Sequence, residues 1–141
     1  MLVRLLYASR LVEPGKPEII DNILAESRKY NPALGITGIL VYSEGIFLQA
    51  IEGGRQQVSQ LYNHITRDKR HTDVVLLHFE EINQRRFGGW TMGQVNLAKV
   101  NTSVMLKDSA TTELDPYSVS GEVSLALLEE LMASASVIGR V

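Results

Sequence analysis

The sequence contains no cysteine, which removes disulfides, thiolate catalysis and cysteine-ligated metals at once. It also lacks an excess of either charge. The 14 Lys and Arg against 16 Asp and Glu leave a net charge of −2, giving no general attraction to nucleic acid or an anionic membrane. No apolar run approaches membrane-spanning length, and the N-terminal MLVRLLYASR is too short a run for a signal peptide. Repeats and low-complexity segments are absent. What is present is 141 residues with 45% hydrophobic content, the size of one domain with its own core. These features predict a cytoplasmic protein that binds neither nucleic acid nor membrane.

The chain is organised around residues 34–54, LGITGILVYSEGIFLQAIEGG. Two apolar runs, 36–42 and 46–51, flank Ser43-Glu44-Gly45, a short glycine-containing connection of the hairpin type. Both runs are nearly continuous rather than alternating, so both faces of their sheet are expected to be covered. Inside the second run sits Gln49, between Leu48 and Ala50. A primary amide buried there must be paired with something.

Around this hairpin the other elements follow in order. Residues 2–9 read as a strand with Val3, Leu5 and Tyr7 on one face and Leu2, Leu6 and Ala8 on the other. Pro17 suits the first position of a helix whose buried side carries Ile19, Ile20, Ile23, Leu24 and Ser27. That helix is expected to stop at Asn31, because Pro32 disfavours helical backbone in the residue before it. A second helix carries Val58, Leu61, Tyr62 and Ile65 and ends within 68–71. Residues 74–80 read as a strand, 85–89 as a turn and 90–97 as the last strand. The order βαββαββ predicts an α+β, ferredoxin-like fold with a five-stranded mixed sheet and two helices on one face. The opposite face (Leu2, Leu6, Leu48, Ala50) needs its own cover. A C-terminal helical stripe of Val123, Leu127, Leu128, Leu131 and Met132 supplies it. A short helix is expected around 103–109, and 137–141 are expected to fray. The chain thus divides into a domain of residues 1–97 and a C-terminal helical extension of 98–141.

On the helix-bearing face, strand parity brings together Tyr7, Gln49 and Trp90 with Met92, and Asn31 stands at the end of the first helix. A phenol, two amides, an indole and a thioether contain no nucleophile–base pair, no carboxylate dyad and no metal triad. They suit a planar heteroaromatic ring with mixed donor and acceptor edges, such as a flavin. Singly, Tyr7 and Trp90 read as ordinary core aromatics and Asn31 as a helix terminator. Gln49 has few ordinary reasons to stand mid-strand in so apolar a run. His64, His71 and His78 recur every seven residues, but the helix ends between the first two, which argues against a metal set. Gly35-Ile36-Thr37-Gly38 has the spacing of a nucleic-acid clamp, yet its neighbours are apolar rather than basic. Gly53-Gly54-Arg55 reads as a plain turn, and Arg67, Lys69, Arg70 and His71 as a solvated patch.

Together the residues carry a resemblance. Tyr7 in LLYASR, Asn31 in YNPALGITGIL, Gln49 in FLQAIEG, the Asp68-Lys69-Arg70-His71 run and Trp90-Thr91-Met92 resemble the BLUF domain, a blue-light sensor using FAD. The resemblance covers residues 1 to 97, and the short extension is similar to that of small stand-alone members. It implies FAD, or alternatively FMN, with its ring between the two helices, flanked by Ile23 and Ile65. It implies that Asn31 holds the N3/carbonyl edge and that Gln49 bridges Tyr7 and the N5/C4-carbonyl region. His64, Asp68, Arg70 and His71 fall toward the ribityl and phosphate end. Tyr30, His64 and Gly93 depart from the residues common at their positions. In the implied photochemistry Tyr7 donates an electron and a proton to the excited flavin. The Gln49 amide then rotates or tautomerises, and the absorption shifts slightly to the red. The register of the last strand, Trp90 inward or Met92 inward, is open at this level. The family reading implies a separate effector protein as partner, homo-oligomers and no enzymatic turnover. The alternative is a flavin-free ferredoxin-like interaction or small-molecule-binding module. An acyl phosphate hydrolase on the same frame is disfavoured for want of a catalytic set.

Overall fold

Glu44 and Gly45 both take left-handed backbone, with φ of 50° and 85°, and form the two-residue turn of the central hairpin. It joins β2 (Thr37–Ser43) to β3 (Ile46–Gly54) with Ser43 opposite Ile46. The computed structural model describes residues 1–14, 16–95, 102–107, 110–111, 113–133 and 137–140. Ahead of the hairpin lie β1 (Leu2–Leu11) and α1 (Pro17–Tyr30). After it come α2 (Arg55–Arg67), β4 (His71–Ile82), β5 (Trp90–Val95), α3 (Thr102–Leu106), α4 (Gly121–Ala133) and β6 (Val137–Arg140).

The sheet order is β4-β1-β3-β2-β5-β6. The first four strands are antiparallel neighbours in the ferredoxin-like arrangement, and β5 adds in parallel to β2. The five expected strands therefore form the expected mixed sheet. β6 is a sixth, antiparallel to β5, so the expectation of a frayed 137–141 is corrected over 137–140. Its pairing covers an edge that β5 would otherwise leave open. β4 begins at His71 and runs to Ile82, longer than expected, because β1 pairs with it along that whole length. The expected end of the last strand at 96–97 and the 108–109 end of the short helix lie outside the described residues.

Two apolar layers sandwich the sheet. Leu5, Leu40, Phe47 and Ile51 meet Ile20, Ile23 and Leu24 of α1 and Val58 and Ile65 of α2. On the other side Leu6, Ile39, Leu48 and Ala50 meet Met105, Leu125, Leu128 and Leu131. The C-terminal helices cover the second face as expected, with Leu125 joining Leu127, Leu128, Leu131 and Met132 of the predicted stripe and Val123 falling outside that core. Each fully buried large apolar side chain contributes about 1.5–3 kcal/mol, so both layers are needed for a stable sheet.

One expectation about α1 fails in its reason though not in its result. The helix ends before Asn31, but Asn31 keeps helical backbone (φ −64°, ψ −37°) despite Pro32. Its N–H donates to the Ser27 carbonyl, and its own carbonyl accepts from the N–H groups of Leu34 and Ile36. That compact turn outweighs the steric preference of a residue before proline.

Candidate functional site

Tyr7 on β1 and Gln49 on β3 are directly opposed in the sheet register, and both side chains point toward the helices. The Tyr7 hydroxyl donates to Gln49 Oε1. Gln49 Nε2 donates to Met92 Sδ at 3.0 Å, reaching across β2 to β5. Gly38 makes the crossing possible, since a Cβ there would meet Met92 Cε at 3.1 Å and the Ala50 carbonyl oxygen at 2.3 Å. The structure thus resolves the register of β5. Met92 is fully buried against Gln49, and Trp90 is half-buried further along the strand.

Above these side chains, between α1 and α2, lies a cavity of about 540 Å³, within the roughly 300–1,000 Å³ usual for cofactor sites. Tyr7, Ile23, Asn31, Gln49, His64, Ile65, Asp68, Arg70 and His71 all line it, while Trp90 and Met92 stand outside its wall. Ile23 and Ile65 face it from the two helices. Asn31 is only 3% exposed, and its Nδ2 has no hydrogen-bond partner among the described residues. Gln49 uses two of its four hydrogen-bonding positions on Tyr7 and Met92, leaving one N–H and one lone pair.

The electrostatics of the cavity follow from burial. Desolvation pushes the Tyr7 phenol well above its ordinary value, with Asp68 and Tyr62 adding to the shift, so it stays protonated and donates. Desolvation also raises Asp68, but the side-chain and backbone hydrogen bonds of Arg70 outweigh it and hold the carboxyl low. Arg70 binds Asp68 at 2.6 Å and Glu26 of α1 at 2.9 Å, tying the two walls of the cavity together. His71, read from sequence as part of a solvated patch, is instead buried. Its Nδ1 lies 2.8 Å from Ser9 Oγ and its ring stands edge-on to Phe47. Burial lowers its affinity for a proton, with Asp68 opposing and Arg70 assisting. Acidification below the ordinary histidine range therefore favours the unfolded chain, where the imidazole protonates freely. Sequence reasoning missed Glu26, Gln57 and Gln60 in the wall. Glu26 stands at helical spacing from Ile23 and Tyr30, and Gln57 and Gln60 from Leu61 and His64. The polar flanks of the two buried stripes carried the signal.

A family model described as sensors of blue-light using FAD, BLUF, matches residues 2–93. The chain belongs to the BLUF family. It is a blue-light sensor domain with a flavin cofactor. It is 33% identical over 108 residues to photoactivated adenylate cyclase subunit beta of Euglena longa, covering 76% of this chain and 13% of that protein. The chain thus spans about an eighth of that relative's length, and the activity in that protein's name describes the larger molecule. Among solved structures, BlsA in its photo-activated state is 30% identical, with a TM-score of 0.81 over 94% of this chain and 95% of that one. BlrB, a BLUF protein in its dark state, is 33% identical, with a TM-score of 0.76 over 95% and 96% of the two chains. Among the described residues no helix is long and apolar enough to cross a membrane, and no cluster of His, Asp and Glu could hold a metal.

The BLUF cavity passes a test of fit for a flavin on its own atoms. A buried amide donor without a partner, Asn31 Nδ2, and the remaining capacity of Gln49 are what a ring edge with carbonyl oxygens and ring nitrogens would satisfy. The apolar side chains of Ile23 and Ile65 suit its two faces.

Proposed function

We propose that the protein senses blue light through FAD held between α1 and α2, by exchange of the hydrogen-bond partners of Gln49. The observation that carries this reading is the buried Tyr7–Gln49–Met92 chain beneath the cavity. FAD rather than FMN is favoured by the family description. Ile23 and Ile65 flank the ring, and Asn31 binds its carbonyl edge. His64, Asp68, Arg70 and His71 line the end that takes the ribityl and phosphate part.

Bound flavin supplies blue absorption and, once excited, a transient one-electron oxidant. Tyr7 is the hydrogen source of the site, because its phenol is protonated and already directed at Gln49 Oε1. With flavin bound, it would give up an electron and its phenolic proton to the excited ring, and both would return when the cycle closes. Gln49, relieved for that interval of the Tyr7 donor, can turn its amide. A half turn sets Nε2 toward the Tyr7 oxygen, which can accept. It also sets Oε1 toward Met92 Sδ, which cannot donate. The Gln49–Met92 hydrogen bond is therefore present in one state and absent in the other. Output passes to a separate effector protein through the extension of residues 98–141, whose helices α3 and α4 pack on the sheet face opposite the cavity. The family model's match over residues 2–93, against a likeness to BlsA over 94% of the chain, supports setting the extension apart.

The direct test is spectroscopic. The purified protein is expected to be yellow, to release FAD on denaturation and to shift reversibly to the red in blue light. Protein that neither carries nor takes up flavin would overturn the proposal. Asn31→Ala removes the orphaned donor and should weaken binding by about 1–3 kcal/mol, read as a lower flavin-to-protein ratio after dialysis. Unchanged occupancy and dissociation rate would make Asn31 a helix terminator only.

A further inference from the structure

On the face of the sheet away from the cavity, charges are buried in a layer that is otherwise apolar. Arg4 is 2% exposed and Glu52 is fully buried. Nε of Arg4 donates to Glu52 Oε2 at 2.8 Å, Nη2 lies 2.7 Å from the same oxygen, and Nη1 pairs with Glu80. The Glu52 carboxylate is used twice more. The backbone N–H of Arg86 donates to Oε2 at 3.1 Å and that of Phe87 to Oε1 at 2.7 Å. A buried carboxylate persists only when it is both paired and hydrogen-bonded. Here half of that satisfaction comes from the turn that leads into β5.

The same turn is fastened around position 52 by its side chains. Arg85 donates to the Glu52 carbonyl at 3.3 Å, to Thr37 Oγ1 at 2.8 Å and to the Gly35 carbonyl at 2.6 Å. Phe87 is fully buried, with the Arg4 guanidinium 6.0 Å from its ring centre. Arg86 reaches outward to pair with Glu129 of α4. β5 itself is held to β2 by a short parallel ladder, with Ile39 opposite Gly93 and Leu40 opposite Gln94. By their i, i+2 spacing Trp90 and Met92 fall on one face of β5. A slip of two residues would exchange them without turning any side chain to the wrong side. So short a ladder needs something else to choose between them.

We propose that Glu52 is the register pin of β5, a positioning residue that places Met92 rather than Trp90 against Gln49. It stands three residues along β3 from Gln49, on the opposite face, and acts through the backbone of Arg86 and Phe87. The inference rests on the reading of Met92 as a switching partner of Gln49, but its test needs no light.

The experiment uses the full flavin-loaded chain in the dark, comparing wild type with Glu52→Gln and Glu52→Asp. Glutamine keeps the size but offers one acceptor where the carboxylate has two. Aspartate keeps the charge for Arg4 but is a methylene too short for the Phe87 N–H. Peroxide oxidation of each methionine is followed by peptide mass spectrometry, and quenching of the single tryptophan, Trp90, by acrylamide. Both variants should oxidise Met92 several-fold faster than wild type and shield Trp90 better, with Met105 in the second core unchanged. Met92 protection equal to wild type overturns the proposal. So does equal acceleration at Met92 and Met105, which marks general loosening. If neither variant folds, hydrogen exchange of wild type decides. The Phe87 amide must exchange as slowly as the core amides of β3, and fast exchange there overturns the pin. A wild type that shows no red shift in light, with Met92 freed in the variants, would sink the switching reading and leave the pin standing.

Discussion

Replacing Tyr7 by phenylalanine is expected to give a protein that still binds flavin and shows no red-shifted state in blue light. The ring packs between Phe47 and Tyr62, at centroid distances of 6.3 Å and 5.8 Å, and phenylalanine preserves both contacts. Only the hydroxyl goes, and with it the donor that Gln49 Oε1 has among the described residues, together with its phenolic proton. Loss of a single buried hydrogen bond costs about 1–3 kcal/mol, too little to unfold a sheet packed on both faces. The loss of photochemistry is nevertheless complete, because no other phenol shares the bond to Gln49. Gln49→Leu should behave alike. Leucine fills the space without an amide, so nothing can exchange partners between Tyr7 and Met92. Absorption spectra before and after blue illumination decide both cases. A full, reversible shift in either variant removes the proposed roles.

Met92→Ala should separate colour from message. The Tyr7–Gln49 bond survives in this variant, so the red shift is expected to stay largely intact. What disappears is the Gln49–Met92 contact, the one hydrogen bond the Gln49 side chain makes to β5. Besides its sheet neighbours, β5 touches both helical layers. Its Met92 carbonyl accepts from Arg28 of α1 at 3.2 Å, and Val95 packs in the second core with Leu128 and Leu131 of α4. Hydrogen exchange should therefore show a light-dependent difference in residues 121–133 of wild type and none in Met92→Ala. No difference in wild type, or the same one in the variant, would show that the signal leaves by another path. Truncating a buried methionine costs about 2–5 kcal/mol, so the comparison is made well below the melting temperature of both proteins. Met92→Leu is the informative companion. It restores the volume but not the sulfur acceptor, and should remain uncoupled if the hydrogen bond carries the signal.

The ferredoxin-like frame was legible because its signals are local. Apolar runs of strand length, helical stripes at i, i+3, i+4 and a glycine turn each depend on near neighbours in sequence. Gln49, polar in an apolar strand, was legible for a related reason, and strand parity places it on one face with Tyr7. Tyr7 and Asn31 singly read as a core aromatic and a helix terminator, and the structure sets both in the cavity wall. Three matters were decided only by the tertiary structure. Whether Trp90 or Met92 meets Gln49 depends on how β5 docks along β2 and on what holds the turn before it. Parity cannot distinguish two residues on the same face. The burial of Arg4 and Glu52 depends on their meeting across 48 positions of sequence with two backbone amides from a third segment. Read singly, a charged residue in a strand means a solvated face. Finally, β6 forms because β5 offers an open edge, a property of the assembled sheet that no residue of 137–140 carries in itself. Apart from β6, sequence by itself determined which elements form, and it set Tyr7 and Gln49 on one face. The pairing of distant segments determined which of those groups touch, since hydrogen bonds and buried charges are satisfied only in three dimensions.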